Sequence, residues 1–406
     1  TLAALAAFGL ILCGLPLALL LRVGVTADGA LALAPLLEAA QSGSVLRALW
    51  NSLDSAAVSA AAATAVGTAL ALALGLTDVR AKGPLVFLIL LPMMIPPHVT
   101  AIAWSQAFGP SSPLLRSLGL APALGSPHPL YSREGVILLL SVQHMPLAFL
   151  TVRAALRALP REMAEAARVS GAGAFATIRR VVAPLLAPAL VAGFALAFVS
   201  ALGNFGIPAL LGIPARYTSL PVLIWRRLAS FGPTVIQDVA VIAVLVAVVA
   251  AAAVALQFAL QRRFRAALIG PPQPPLRLRL GRARIWVEAG IWTLIAAVLA
   301  LPLAALLATA LVRTYGLPLN AGTATLGNFG EILFAQAATG RAFVNSTMAA
   351  GTAALLLALA AAGLGRFLSA ERGAARRVSG AVATLADVAY AVPGIVISIA
   401  FILAFL

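Results

Sequence analysis

EMAEAARVSGAGAFATIRRVVAP, from Glu162 to Pro184, is a long stretch between apolar runs that is helical, charged and patterned at once. Glu165-Ala166-Ala167 is followed by Gly171, nine residues separate Gly171 from Val181, and Pro184 closes the segment. Ala166, Ala167 and Val169 offer a surface small enough for close approach, and Gly171 permits a turn that a side chain would hinder. Arg168, Arg179 and Arg180 hold the stretch to one side of a membrane. The spacing predicts two short helices bent at Ser170–Gly173, lying outside a bilayer, where a soluble partner grips the knuckle.

Outward from this stretch the chain is apolar. Of its 406 residues 62% are hydrophobic and 10% charged, with a mean hydropathy of +1.04. Apolar runs of ~20 residues, each long enough to cross ~30 Å of hydrocarbon, recur throughout. The class is all-α, a polytopic transmembrane helical bundle. The net charge of +16 does not point to nucleic acid, because the basic residues gather between the apolar runs. With the 162–184 stretch inside, inner loops carry 19 of the 28 Lys and Arg, the asymmetry expected of cytoplasmic loops. Cys13, alone in an apolar run, gives no disulfide framework, and three His are too scattered for a metal-site spacing.

Spans are expected at about 2–21, 53–76, 85–108, 135–151, from 185, 235–260, 285–312, 342–364, and from 378 to the end. The third holds Pro92, Pro96 and Pro97, so a broken helix is expected there, tolerated where protein or a wet cavity satisfies the freed backbone groups. The fourth is polar at Gln143 and His144. After the fifth, Gly203-Asn204-Phe205-Gly206-Ile207-Pro208-Ala209-Leu210-Leu211-Gly212 reads as unwound or re-entrant. Residues 261–284, with seven Arg and the run Pro271-Pro272-Gln273-Pro274-Pro275, read as an extended cytoplasmic linker.

The chain repeats itself. Arg47-Ala48-Leu49-Trp50-Asn51-Ser52 returns 294 positions later as Arg341-Ala342-Phe343-Val344-Asn345-Ser346, and Pro96-Pro97 returns 297 positions later as Pro393-Gly394. Two six-span units pointing the same way are expected: 1–260, then, after the linker at 261–284, the start of a second at 285–406. A second Glu-Ala-Ala stretch is expected roughly 297 residues after the first, so the second unit is truncated here, with about 150 residues expected beyond Leu406.

The pattern of Glu165, Ala166, Ala167, Gly171, Val181 and Pro184 closely resembles the EAA loop of binding-protein-dependent ABC importer permeases. The two-unit layout and the segment 204–212 resemble the fused permeases of the iron(III) importer family. The resemblance implies a type I importer (MetI-like) fold with tandem six-span repeats in a bacterial inner membrane. It implies that the loop at 152–183 is the coupling element, with Glu162, Glu165, Ala166, Ala167, Gly171 and Pro184 facing a cytoplasmic ABC ATPase dimer. That partner would use ATP and Mg; this chain has no Walker A phosphate loop, its one lysine, Lys82, being followed by Gly83-Pro84, and is expected to be no enzyme and to bind no cofactor. A periplasmic or extracellular substrate-binding protein is implied as the second partner, and membrane lipid is the surrounding one. The expected cargo is iron(III), with thiamine, 2-aminoethylphosphonate or another small solute as alternatives. Candidate path residues are Pro96, Pro97, His98, Gln143, His144, Asn204 and Pro208. Fe(III) prefers hard oxygen ligands and no carboxylate cluster lies in the spans, so no metal ligand is assigned. A secondary transporter or channel would need intramembrane acidic residues, which these spans barely hold.

Overall fold

The computed structural model describes residues 2–27, 30–31, 34–123, 125–159, 161–232, 235–263, 278–369 and 373–405. Its long helices are α1 Leu2–Val25, α2 Gly43–Leu76, α3 Lys82–Met94, α4 Pro97–Phe108 and α5 Arg133–Ala158. They continue as α6 Arg161–Val169, α7 Ile178–Leu202, α8 Leu220–Leu228 and α9 Val235–Arg263. The remainder are α10 Gly281–Ala310, α11 Ala337–Leu368, α12 Ala374–Ala391 and α13 Gly394–Phe405. Strand pairing among the described residues is one two-residue ladder, Thr26–Ala27 with Ala30–Leu31. Among the described residues seven helices are long and apolar enough to cross a membrane, and α3 with the helical residues from Pro97 to Ser117 makes an eighth, bent by 102°.

The bend lies where the prolines predict a broken helix, and α3 starts at Lys82 rather than at 85. Pro96 and Pro97 supply no N–H, and the extended residue Ile95 ends α3. Other bounds also move. α2 starts at Gly43, ten residues before the expected 53, because the polar turn with Arg47, Asn51 and Asp54 continues the helix beyond its apolar part. α5 runs from Arg133, capped where Ser132 Oγ accepts from Gly135 N at 3.0 Å. The expected loop at 152–183 is helical at both ends, since α5 persists to Ala158 and α7 begins at Ile178. The linker at 261–284 is likewise shorter: α9 reaches Arg263, residues 264–277 lie outside the described ones, and Leu278 N donates to Leu76 O at 2.7 Å.

α5 is the hub, packed by α2, α3 and α7. Small residues set the spacing. A Cβ on Gly67 of α2 would stand 2.8 Å from both Met145 O and Phe149 N of α5, and one on Gly193 of α7 would stand 3.2 Å from Ala148 Cα. Ala148 thus sits between two glycines, the close approach through which membrane helices gain dispersion contacts.

The later helices pack reciprocally with the earlier ones. α1 lies against α13, and α10 lies against α4. α4 and α13 each begin just after a proline break, at Pro96–Pro97 and at Pro393. α2 is buried by α5 and α7, whereas α11, at the matching place in the repeat, has no buried residue.

Candidate coupling loop and translocation cavity

α6 begins with Glu162 in its first turn, where the helix's unpaired N–H groups favour negative charge. It ends in a left-handed cap. Ser170 N donates to Ala166 O and Ala172 N to Ala167 O, both at 3.0 Å, while Gly171 takes φ +84°. That six-to-one closure needs a residue without a Cβ penalty, so the glycine's place after Glu-Ala-Ala is set by the backbone. Nothing lies within 4 Å of where a Gly171 Cβ would stand. Ala166 and Glu162 are exposed, Glu165 and Ala167 half-buried, and the Val169 side chain is 89% exposed. α6 touches chiefly the turn at 174–177 and the start of α7, so the knuckle projects from the bundle with an apolar tip. Pro184 is exposed, one turn into α7, just after a widened π turn at Ile178–Val182.

The second feature is a cavity of about 560 Å³. Its lining includes Pro97, Gln143, His144 and Asn204, four of the seven expected path residues, with Pro393 and Gly394 from the other proline break. Pro96 and His98 are exposed beside it and Pro208 is buried elsewhere, so these three do not line it. The backbone N of His98 instead packs on Gly206, whose Cβ would stand 2.7 Å from it. Ser200, Gln257 and Met93 also line the cavity and were not anticipated; Gln257 is polar within an otherwise apolar span, and that was its signal.

Gln143 has a structural duty. In a continuous helix the Pro92 carbonyl would accept from the N–H of residue 96, but Pro96 has none. Gln143 Nε2 supplies the missing donor, 2.9 Å from Pro92 O and 3.1 Å from Ile95 O. Its Oε1 accepts from Thr100 Oγ1 at 3.1 Å, so one side-chain amide ties both arms of the break. His144 Nδ1 lies 2.8 Å from Leu140 O, and a carbonyl only accepts, so that nitrogen carries the proton. Asn204 Oδ1 accepts from Ile207 N at 3.2 Å and caps the turn that follows. A Cβ on Gly203 would stand 2.7 Å from Pro393 Cβ, so chain segments from both halves meet at this wall. Among the described residues no charged side chain lines the cavity. Away from it, Asp238, near the start of α9, faces Arg227 at 3.8 Å.

Residues 65–266, which hold the knuckle and most of the cavity wall, match the family described as binding-protein-dependent transport system inner membrane component. The chain is 31% identical over 211 residues to the probable molybdenum ABC transporter permease protein of Haloferax volcanii, covering 50% of this chain and 72% of that one. The chain belongs to this permease family. The permease is also 32% identical over 154 residues to the probable sulfate transport system permease protein cysT of Prototheca wickerhamii, covering 37% of this chain and 59% of that one. Among solved structures, a bacterial ABC transporter involved in the import of the acidic polysaccharide alginate matches 64% of the permease and 93% of its own chain, with a TM-score of 0.52 at 19% identity. That likeness shows the MetI-like fold, and the family match makes the permease a multi-pass inner-membrane subunit of an ABC importer.

Proposed function

We propose that this permease forms the translocation path of an ATP-driven importer for a small oxyanion of the molybdate or sulfate kind. The cavity where the two proline breaks meet carries the reading. Besides Gln143 and His144, its lining offers the Ser200 hydroxyl, the Gln257 amide and the Asn204 Nδ2, whose partner oxygen is already engaged. Neutral donors suit an oxyanion in transit, holding it without trapping it, whereas Fe(III) calls for hard anionic oxygens. The two relatives named above carry molybdenum and sulfate in their names. Iron(III) is the second reading, favoured by the resemblance of segment 204–212 to the fused iron permeases.

Energy would come from a separate ATPase dimer using ATP and Mg. It would grip the knuckle through Glu162, Glu165, Ala166 and Ala167, with Gly171 setting the turn and Pro184 the entry into α7. A substrate-binding protein would deliver and select the cargo on the outer side, which accounts for a pore with few distinguishing groups. In this reading 1–260 and 285–406 are the two units, and their rocking alternately opens the cavity to either side.

The test is uptake by proteoliposomes holding the permease, its ATPase and its binding protein, with molybdate, sulfate, chelated Fe(III) and thiamine compared. ATP-dependent uptake of an oxyanion alone is expected. Uptake of iron alone would replace the cargo and keep the class, and uptake without ATP would overturn the importer mechanism.

A further inference from the structure

A polar cluster outside the cavity joins the outer ends of α2 and α5 to the turn that follows Gly212. Arg133 Nε and Nη2 each donate to a different Asp54 oxygen at 2.6 Å. The Tyr217 hydroxyl lies 2.7 Å from Asp54 Oδ2 and 2.8 Å from Asn51 O. Asn51 Nδ2 donates to Thr218 O at 3.0 Å, and Ser52 Oγ accepts from Leu220 N at 2.7 Å. The Asp54 side chain is 15% exposed and that of Arg133 43%, so the carboxylate end of this bidentate pair is shielded while the guanidinium meets the surroundings.

The cluster holds a strained turn. Arg216 takes φ +55°, left-handed for a residue with a side chain. Tyr217 N donates to Gly212 O at 2.8 Å, and a Cβ on Gly212 would stand 2.6 Å from Tyr217 O. Such a backbone persists only where its surroundings over-determine it. Upstream the chain is anchored at intervals: Ile207 and Leu211 are fully buried, Ala209 N donates to Phe205 O at 2.9 Å, and Asn204 caps the turn. Asn204 on the cavity and Tyr217 at the rim are therefore two ends of one rigid hairpin.

We propose that Asp54, Arg133 and Tyr217, with Asn51 and Ser52, form an outer latch that positions the translocation path. None of the five lines the cavity. They act through residues 203–217, fixing where Asn204 stands on the wall. The inference rests on reading the cavity as the path. The repeat makes the latch lopsided. Asn345 and Ser346 occupy the places of Asn51 and Ser52 in α11, but Met348 occupies that of Asp54. The Asn-Ser pair thus recurs in the sequence of α11, while the Asp54 carboxylate has no counterpart there.

The test uses the full chain in lipid nanodiscs with Cys13→Ser and one of two reporter cysteines, Ser200→Cys beside Asn204 or Gln257→Cys on the α9 wall. Labelling by a water-soluble thiol reagent is timed with the latch intact, with Tyr217→Phe and with Asp54→Asn. Each latch variant is expected to change the rate at Ser200→Cys about tenfold and that at Gln257→Cys less than about twofold, the size of one charge-assisted hydrogen bond. Unchanged labelling at Ser200→Cys in both variants overturns the proposal. Equal changes at both cysteines do so as well, since they report general loosening. Labelling needs no ATPase and no cargo, so its outcome stands apart from that of the uptake experiment.

Discussion

At residue 96 the chain has a proline, and the carbonyl four positions earlier loses its donor. Gln143 takes over that duty from another helix, 51 positions away. Gln143→Leu leaves two carbonyls unpaired in a buried place and is expected to cost about 2 kcal/mol or more, read as a lowered thermal midpoint. A polar residue in an apolar span is visible in the sequence, and that is why Gln143 stands among the expected path residues. Its pairing is not visible, because nothing local links it to Pro92. Gly67 is a second case. Gly67→Leu drives a side chain into the Met145 carbonyl and the Phe149 amide, and the hub should separate, with loss of about 3 kcal/mol or more. Nothing local in the sequence names the helix it packs on.

At the scale of the element, the knuckle α6 was the most legible part. Its helix, its stop and its turn are decided within a dozen residues by capping and by glycine's freedom, so the pattern suffices. The left-handed Gly171 has open space around it, so substitutions there act through the backbone alone. Gly171→Asn, tolerant of that conformation, should retain most ATPase co-purification. Gly171→Val should cost about 1–2 kcal/mol of cap stability and lose most of it. Equal retention by both would detach the cap from coupling. The bent pair α3 and α4 was half legible: the prolines announced a break, but the 102° angle comes from packing on α5 and α10. The cavity was the least legible, since Gly203 and Pro393 meet from distant parts of the chain.

Across the whole molecule, the foot of α2 is tied to the entry of α10. Asp78 Oδ1 accepts from Leu280 N at 3.0 Å, with Arg284 4.0 Å away. The Leu280 N–H first, and then the nearby Arg284 and Arg279, hold the Asp78 carboxyl below the usual carboxylate range. A depressed value means the tie is fully present above the unfolded-state pKa and is lost as pH falls through the folded one. Exchange protection of the Leu280 amide, corrected for intrinsic rate, should therefore hold at pH 5 and fade below about pH 4. In Asp78→Ala it should be weak throughout. The reciprocal packing of α1 on α13 and α10 on α4 has a consequence in time. At about 5–20 residues per second, α13 leaves the ribosome some 20–75 s after α1. α1 thus waits long for its full set of neighbours. Until α11 to α13 follow, its main shelter within the chain is α9, and the rest of its surface must wait in lipid or in the hands of the insertion machinery.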